Sequence, residues 1–218
     1  MDYQSGDMLR FTIFGIPVEV QPFFWITLVI IGGVDGSDAE GMFRILLFVL
    51  AGFISILTHE LGHALTARKF GAHSEITLQA FGGYAAYSGV RMTRLQSFLT
   101  TAAGPGIQIL LGLGVWFLIP YTLPGITYNA WYFLKMLMGI SLFWAVLNLL
   151  PILPLDGGQM LNAVLGPQRI RITLWVTIIV SVLTGVIWFE MRHDLLFSLF
   201  LSIFAWKAWQ ALQQSRWR

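Results

Sequence analysis

The 218-residue chain has no cysteine. This excludes a disulfide framework, an iron–sulfur cluster and any thiolate metal site, so a metal here must be held by histidine and carboxylate. Charge is the second scarcity. There are 13 Lys or Arg and 11 Asp or Glu, 11% of the residues, where a soluble domain carries roughly 25%. Apolar residues make up 56% and the mean hydropathy is +0.72. The length suits one domain with a sizeable core, but so few charges cannot coat its surface. A typical soluble enzyme and a disordered chain are both excluded. The basic residues are few and scattered, with no stripe that could track phosphates, so nucleic acid is not a partner. Internal repeats and low-complexity tracts are missing as well. The stretch Met1–Asp7 lacks a basic n-region, and nothing marks a removable signal peptide.

What is present is a series of long apolar runs. Phe11 to Gln21 alternates loosely around Gly-Ile-Pro and reads as a short hairpin. Val20 to Val34 is uncharged but short for a span, and Asp35, Asp38 and Glu40 follow as an acidic loop. Phe43 to Phe70 would reach about 42 Å as a helix, longer than the roughly 30 Å hydrocarbon core, so its polar distal part must emerge or be shielded by protein. Ile76 to Tyr87 reads as a hairpin turning at the Gly-Gly pair. Further spans lie near Phe98–Ile119, from Ala130 to Leu155 after Pro120, Pro124 and Gly125, at Ile172–Phe189, and from Leu195 through a snorkelling Lys207. The expected fold is an all-α polytopic membrane protein of about six transmembrane helices, with a short membrane-associated β-hairpin or sheet on the cytoplasmic side.

Six spans place Arg10, Arg68, Lys69, Arg91, Arg94, Arg169, Arg171, Lys207, Arg216 and Arg218 on the side of the termini. Arg44, Arg192 and Lys135 fall on the other. By the positive-inside rule both termini are cytoplasmic. Tyr121, Tyr128, Trp131 and Tyr132 read as an outer aromatic belt, and Trp206, Trp209 and Trp217 as inner anchors.

Against this background the ionisable residues inside apolar segments stand out, because they are costly there without a task. His59, Glu60 and His63 form HELGH. Four residues apart on a helix, the two imidazoles point the same way and can reach one metal, while Glu60 is turned about 100° and is free to act as a base. Zinc in such a site takes a third protein ligand and leaves one position to water. Asp156, in ILPLDGG, is the acidic residue embedded in a second apolar segment, and at comparable depth. Its alternative role is to cap a helix starting near Gly157. Asn148, eight residues earlier, could donate a hydrogen bond to a carbonyl gaining charge or serve as interhelical glue. Gly104-Pro105-Gly106 reads as packing that brings the third span against the histidine helix. His73 and His193, with Glu75, Glu190 and Asp194, read as loop and surface residues.

HELGH on an early span, FGGY after it, AAGPG on the next and NLLPILPLDGG on the fourth together resemble the site-2 protease family of intramembrane zinc metalloproteases. The resemblance runs from Phe11 to about Val164, with its catalytic motifs between about 43 and 164. It implies one zinc ion held by His59, His63 and Asp156, with Glu60 as general base, and it implies a hairpin around Phe81, Gly82 and Gly83 that presents an extended substrate. Gln108 stands where many members have Asn, and Gln21 where many have His. Within 1–218 no segment is long or polar enough for a PDZ or CBS domain, so the chain reads as one membrane metalloprotease domain. The activity implied is hydrolysis of peptide bonds in or near transmembrane segments of membrane proteins, in regulated intramembrane proteolysis in the cell membrane. The partners implied are transmembrane substrates and the bilayer, with room for a regulatory membrane protein. A cation transporter and a catalytically silent scaffold that binds membrane proteins are the alternatives.

Overall fold

The computed structural model describes residues 8–33, 38–80, 82–122, 125–193 and 195–214. Met1–Asp7, Asp35, Phe81, Pro124, Asp194, Arg216, Trp217 and Arg218 lie outside the described residues. The chain divides into two compact units, one of Met1–Arg91 with Ala103–Ala145 and one of Met92–Ala102 with Val146–Arg218.

The first unit starts with β1 (Leu9–Ile13) and β2 (Ile16–Val20), followed by α1 (Pro22–Gly32) and α2 (Ala39–Lys69). Then come β3 (His73–Gln79) and β4 (Gly82–Ser88), and most of α3 (Arg94–Thr122) and α4 (Tyr128–Asn148). The two expected hairpins join into one four-stranded sheet of order β1-β2-β3-β4, because β2 pairs in parallel with β3. Alternation in β2 and β3 buries Ile16, Val18, Val20, Ser74, Ile76 and Leu78 on one face. Phe24, Leu28, Ile56, Leu57 and Ala64, from α1 and α2, complete the core around that face.

Both turns fall earlier in the chain than expected, the first by one residue and the second by two. Ile13 pairs with Ile16, so the first reversal is Phe14-Gly15, at φ of 51° and 74°, and not Gly-Ile-Pro. Two positive φ values are what a two-residue turn between twisted strands requires. The guanidinium of Arg68 donates to the Phe14 carbonyl. Pro17 then sits inside β2, before the β3 ladder begins at Val18, where its missing N–H leaves no bond unmade. In the second hairpin Gln79 pairs with Gly82 and Leu78 with Gly83, so both glycines belong to β4 and not to the turn.

α2 has 31 residues, about 46 Å of helix. Asp38 caps its N-terminus by accepting from the Gly41 N–H at 2.7 Å, and Arg68 and Lys69 occupy its last turn, as the helix dipole favours. Apolar surface supplies little drive for helices to associate in lipid, so small residues set the contacts. A Cβ on Gly52 would fall 2.8 Å from Leu28, and one on Gly112 2.7 Å from Leu142.

The second unit contains the first turns of α3, a short α5 (Asp156–Leu165), α6 (Ile170–Arg192) and α7 (Leu195–Gln214). α6 and α7 pack along their length around Leu174, Leu201, Phe204, Ala208 and Leu212. α6 turns Thr173, Thr177 and Ser181 inward and leaves Val182, Leu183, Val186 and Ile187 at least half exposed, the pattern of a helix facing lipid.

Among the described residues, α2, α3, α4, α6 and α7 are long and apolar enough to cross a membrane. The chain is a multi-pass membrane protein. α1, the first of the six apolar segments in the sequence, is a helix of 11 residues, about 16 Å.

Candidate metal centre

His59 and His63 occupy successive turns of α2 on its buried stripe and are 4% and 5% exposed. Their Nε2 atoms lie 3.0 Å apart, with the rings nearly perpendicular at 83°. Two nitrogens bound to one tetrahedral zinc at about 2.0–2.1 Å would sit roughly 3.3 Å apart, so the 3.0 Å spacing is that of an N–H···N hydrogen bond and is also compatible with a shared cation.

Room for these rings comes from α3. A Cβ on Gly62 would fall 2.7 Å from Ile107 and closer still to the Ala103 carbonyl, and one on Gly104 would overlap the His63 imidazole. The close packing expected of Gly104-Pro105-Gly106 is therefore found, and Gly104 carries it. A Cβ on Gly106 would meet open space.

Glu60 is 4% exposed and faces the sheet. A Cβ on Gly83 of β4 would come within 2.6 Å of Glu60 Cγ, so the strand backbone touches this carboxylate side chain directly. At this position of β4 only glycine avoids that overlap.

A fourth polar group was missed as a functional residue in the sequence. Gln108 of α3 is fully buried, and its Oε1 lies 2.9 Å from His59 Nδ1. Its amide Nε2 donates to Ser55 Oγ at 2.9 Å and to the Ser55 carbonyl at 3.4 Å. Ser141 of α4 donates to Ser55 Oγ, also at 2.9 Å. The signal that could have found this network is spacing. Ser55 lies one turn before His59, and Gln108 is an amide in a charge-free span.

Asp156 belongs to the second unit, where it is buried and forms the first residue of α5, directly after Leu155 in the N-cap position. Helix N-termini favour a carboxylate there, and the helix it was expected to precede begins with it. The two glycines that follow are structural. A Cβ on Gly157 would collide with the Leu149 and Leu150 carbonyls, and one on Gly158 would lie 2.5 Å from Leu153 N. The Leu153 N–H is tied to Thr177 Oγ1 at 3.0 Å, and Gln159 Nε2 donates to the Pro154 carbonyl at 3.1 Å. The Asp156 corner is therefore anchored to α6 within its own unit. Asn148 ends α4 in the same unit and is half-buried.

Of the remaining candidates, His73 begins β3 and His193 caps α6 in a left-handed conformation, both exposed. Gln21 sits in the N-cap position of α1 without a side-chain cap, and its backbone N–H extends the sheet to the Leu78 carbonyl at 2.9 Å.

The fold is similar to that of a site-2 protease from Methanocaldococcus jannaschii, with a TM-score of 0.64 at 22% identity, covering 94% of this chain and 95% of that one. The sequence matches the model of peptidase family M50 over residues 47–129 and 124–186. A zinc metalloprotease of Methanocaldococcus jannaschii is 33% identical over 159 residues, 72% of this chain and 45% of that protein. A protein of Synechocystis sp. is 33% identical over 166 residues, 70% of this chain and 42% of its own length. The chain thus spans under half the length of these two relatives. It belongs to peptidase family M50.

Proposed function

We propose that the chain is a zinc-dependent endopeptidase that cleaves peptide bonds in or near transmembrane segments of other membrane proteins. His59, His63 and Asp156 are its zinc ligands and Glu60 its general base. The observation that carries this reading is the pair of buried imidazoles with Nε2 atoms 3.0 Å apart, followed in the case of His59 by a buried carboxylate, on an otherwise apolar helix. The name of the M. jannaschii relative supports zinc as the metal. The donor set fits as well, since a chain without cysteine offers zinc imidazole and carboxylate.

A bound zinc ion supplies Lewis acidity and acidifies water. The protein supplies the rest. The Glu60 carboxylate takes a proton from the attacking water and returns it to the leaving nitrogen. Asn148 donates to the carbonyl oxygen as it gains charge. A substrate helix must unwind first, because its carbonyls are hydrogen-bonded and guarded by side chains. β4 is one of the two outer strands of the sheet and touches Glu60 through Gly83, so an unwound segment is taken up by pairing with β4. The distribution of basic residues supports a cytoplasmic position for both termini and for the site. Cleavage there releases cytoplasmic fragments, the setting of regulated intramembrane proteolysis, in which a regulatory membrane protein can control access.

The test is to purify the chain in detergent, measure bound zinc, and follow cleavage of a single-span protein by wild type and Glu60→Gln. The expected result is one zinc in both and a loss of cleavage of about 10²–10⁴-fold in the variant. Cleavage unaffected by the substitution would remove Glu60 as the base. Wild type that takes up no zinc would overturn the reading altogether.

A further inference from the structure

We propose that Gln108 is a positioning residue that selects the metal-binding tautomer of His59, with Ser55 and Ser141 orienting its amide. The proposal rests on the zinc reading above. An imidazole can bind a metal through Nε2 only if that nitrogen is unprotonated, so a neutral ring must carry its proton on Nδ1. Which nitrogen holds the proton depends on what faces each of them: Nε2 faces His63 Nε2 at 3.0 Å, an imidazole nitrogen that can either donate or accept, so the group facing Nδ1 decides. An amide oxygen there accepts Nδ1–H and leaves Nε2 bare. An amide NH₂ would donate to Nδ1 and push the proton onto Nε2, closing the ring to metal.

The choice is made away from the histidine. The Ser55 backbone carbonyl has no proton to give, so the Gln108 group facing it, at 3.4 Å, must be the NH₂. Ser55 Oγ, which accepts from Ser141 Oγ at 2.9 Å, also accepts from that NH₂ at 2.9 Å. With the NH₂ committed to Ser55, Oε1 is left for His59 Nδ1 at 2.9 Å. The polarity of the chain runs from α4 to Ser55, from Gln108 to Ser55, and from His59 to Gln108, with no group asked to play both roles at once.

All four residues are buried, at 4% exposure for His59 and none for Gln108, Ser55 and Ser141. Bulk water does not reach them, and reversing the amide would place Oε1 against the Ser55 carbonyl. The side-chain length matters too. Gln108 reaches from α3 to two successive turns of α2, Ser55 and His59, and an Asn at that position is one methylene shorter. This gives the Gln at position 108 a task of its own.

The closing experiment uses the full chain in detergent. The four histidines make imidazole nitrogen NMR tractable on the zinc-free protein, with His59→Ala to assign the signal. Wild-type His59 is expected as the Nδ1–H tautomer. Gln108→Met, which keeps the length and apolar packing, is expected to lose that preference and to weaken zinc binding, measured by chelator competition, about 10- to 100-fold. Gln108→Glu keeps an acceptor toward Nδ1 and is expected to bind zinc more tightly than the Met variant. A merely structural role predicts the opposite order, because a carboxylate is the worse filler of an apolar site. Ser55→Ala, which removes one of the two amide anchors, is expected to fall between wild type and Gln108→Met. The proposal is overturned if wild-type His59 is the Nε2–H tautomer, or if Gln108→Met holds zinc within about twofold of wild type. Wild type that takes up no zinc sinks the zinc reading instead, and the tautomer of the zinc-free protein still decides the role of Gln108.

Discussion

Gly83 and Glu60 touch: a single carbon added to the glycine would lie 2.6 Å from Cγ of the glutamate. The strand on one side and the buried helix on the other leave neither partner much room. Gly83→Ala is therefore expected to turn the Glu60 carboxylate or lift β4, while the imidazole pair is left in place. A displacement of about 1 Å at a reacting group costs on the order of 10²-fold. The expected outcome is a fall of that size in cleavage rate with zinc content unchanged. Measuring both on one preparation checks it, and full activity in the variant would show that the contact yields freely.

The opposite split is expected at Gly104, whose added Cβ would overlap the His63 ring. Here the ligand itself must move. Gly104→Ala is expected to lower zinc affinity at least about 10-fold and, as an overpacked core site, to cost about 1–3 kcal/mol of stability. Chelator competition and a detergent thermal melt read the two effects separately. Gly106→Ala in the same motif meets open space and is expected to alter neither.

A gain is expected at the first turn. Phe14 holds a left-handed φ of 51° with its side chain 72% exposed, so the ring contributes little burial to offset the backbone strain. Phe14→Asn suits the first position of such a turn and is expected to stabilise the protein by about 1 kcal/mol. A rise in melting temperature with unchanged cleavage is the readout. A fall would mean that the phenyl ring contributes more than its exposure indicates.

The candidate site's ionisable residues are conspicuous in the sequence because lipid makes them so. A charge or imidazole within an apolar run is costly, so His59, Glu60, His63 and Asp156 could be picked out one by one. The five long helices were legible from apolar length, whereas α1 is shorter than a span and α5 carries no such run. The turns were not. Gly82 and Gly83 look like a hairpin reversal, and only the packing of β4 against Glu60 shows that one of them is needed for close approach. The joining of two hairpins into one sheet is a long-range pairing, between segments separated by two helices, and no local pattern encodes it. Gln108 departs from a family pattern in the sequence, but the turn of α2 that it reaches is visible only in the fold.

The parallel pairing of β2 with β3 joins Val18 to Ile76 across α1 and α2. During synthesis, β2 emerges 58 residues before its partner, a delay of roughly 3–12 s at ordinary elongation rates of about 5–20 residues per second. Throughout that interval one edge of the first hairpin stands open, beside a membrane already receiving the two helices. The strand that closes it, β3, begins ten residues after HELGH, so β3 joins the first hairpin shortly after the histidines are delivered and before β4 adds to the outer edge. A chain stalled before Ile76 would carry its metal-binding motif with no β3 to complete the sheet.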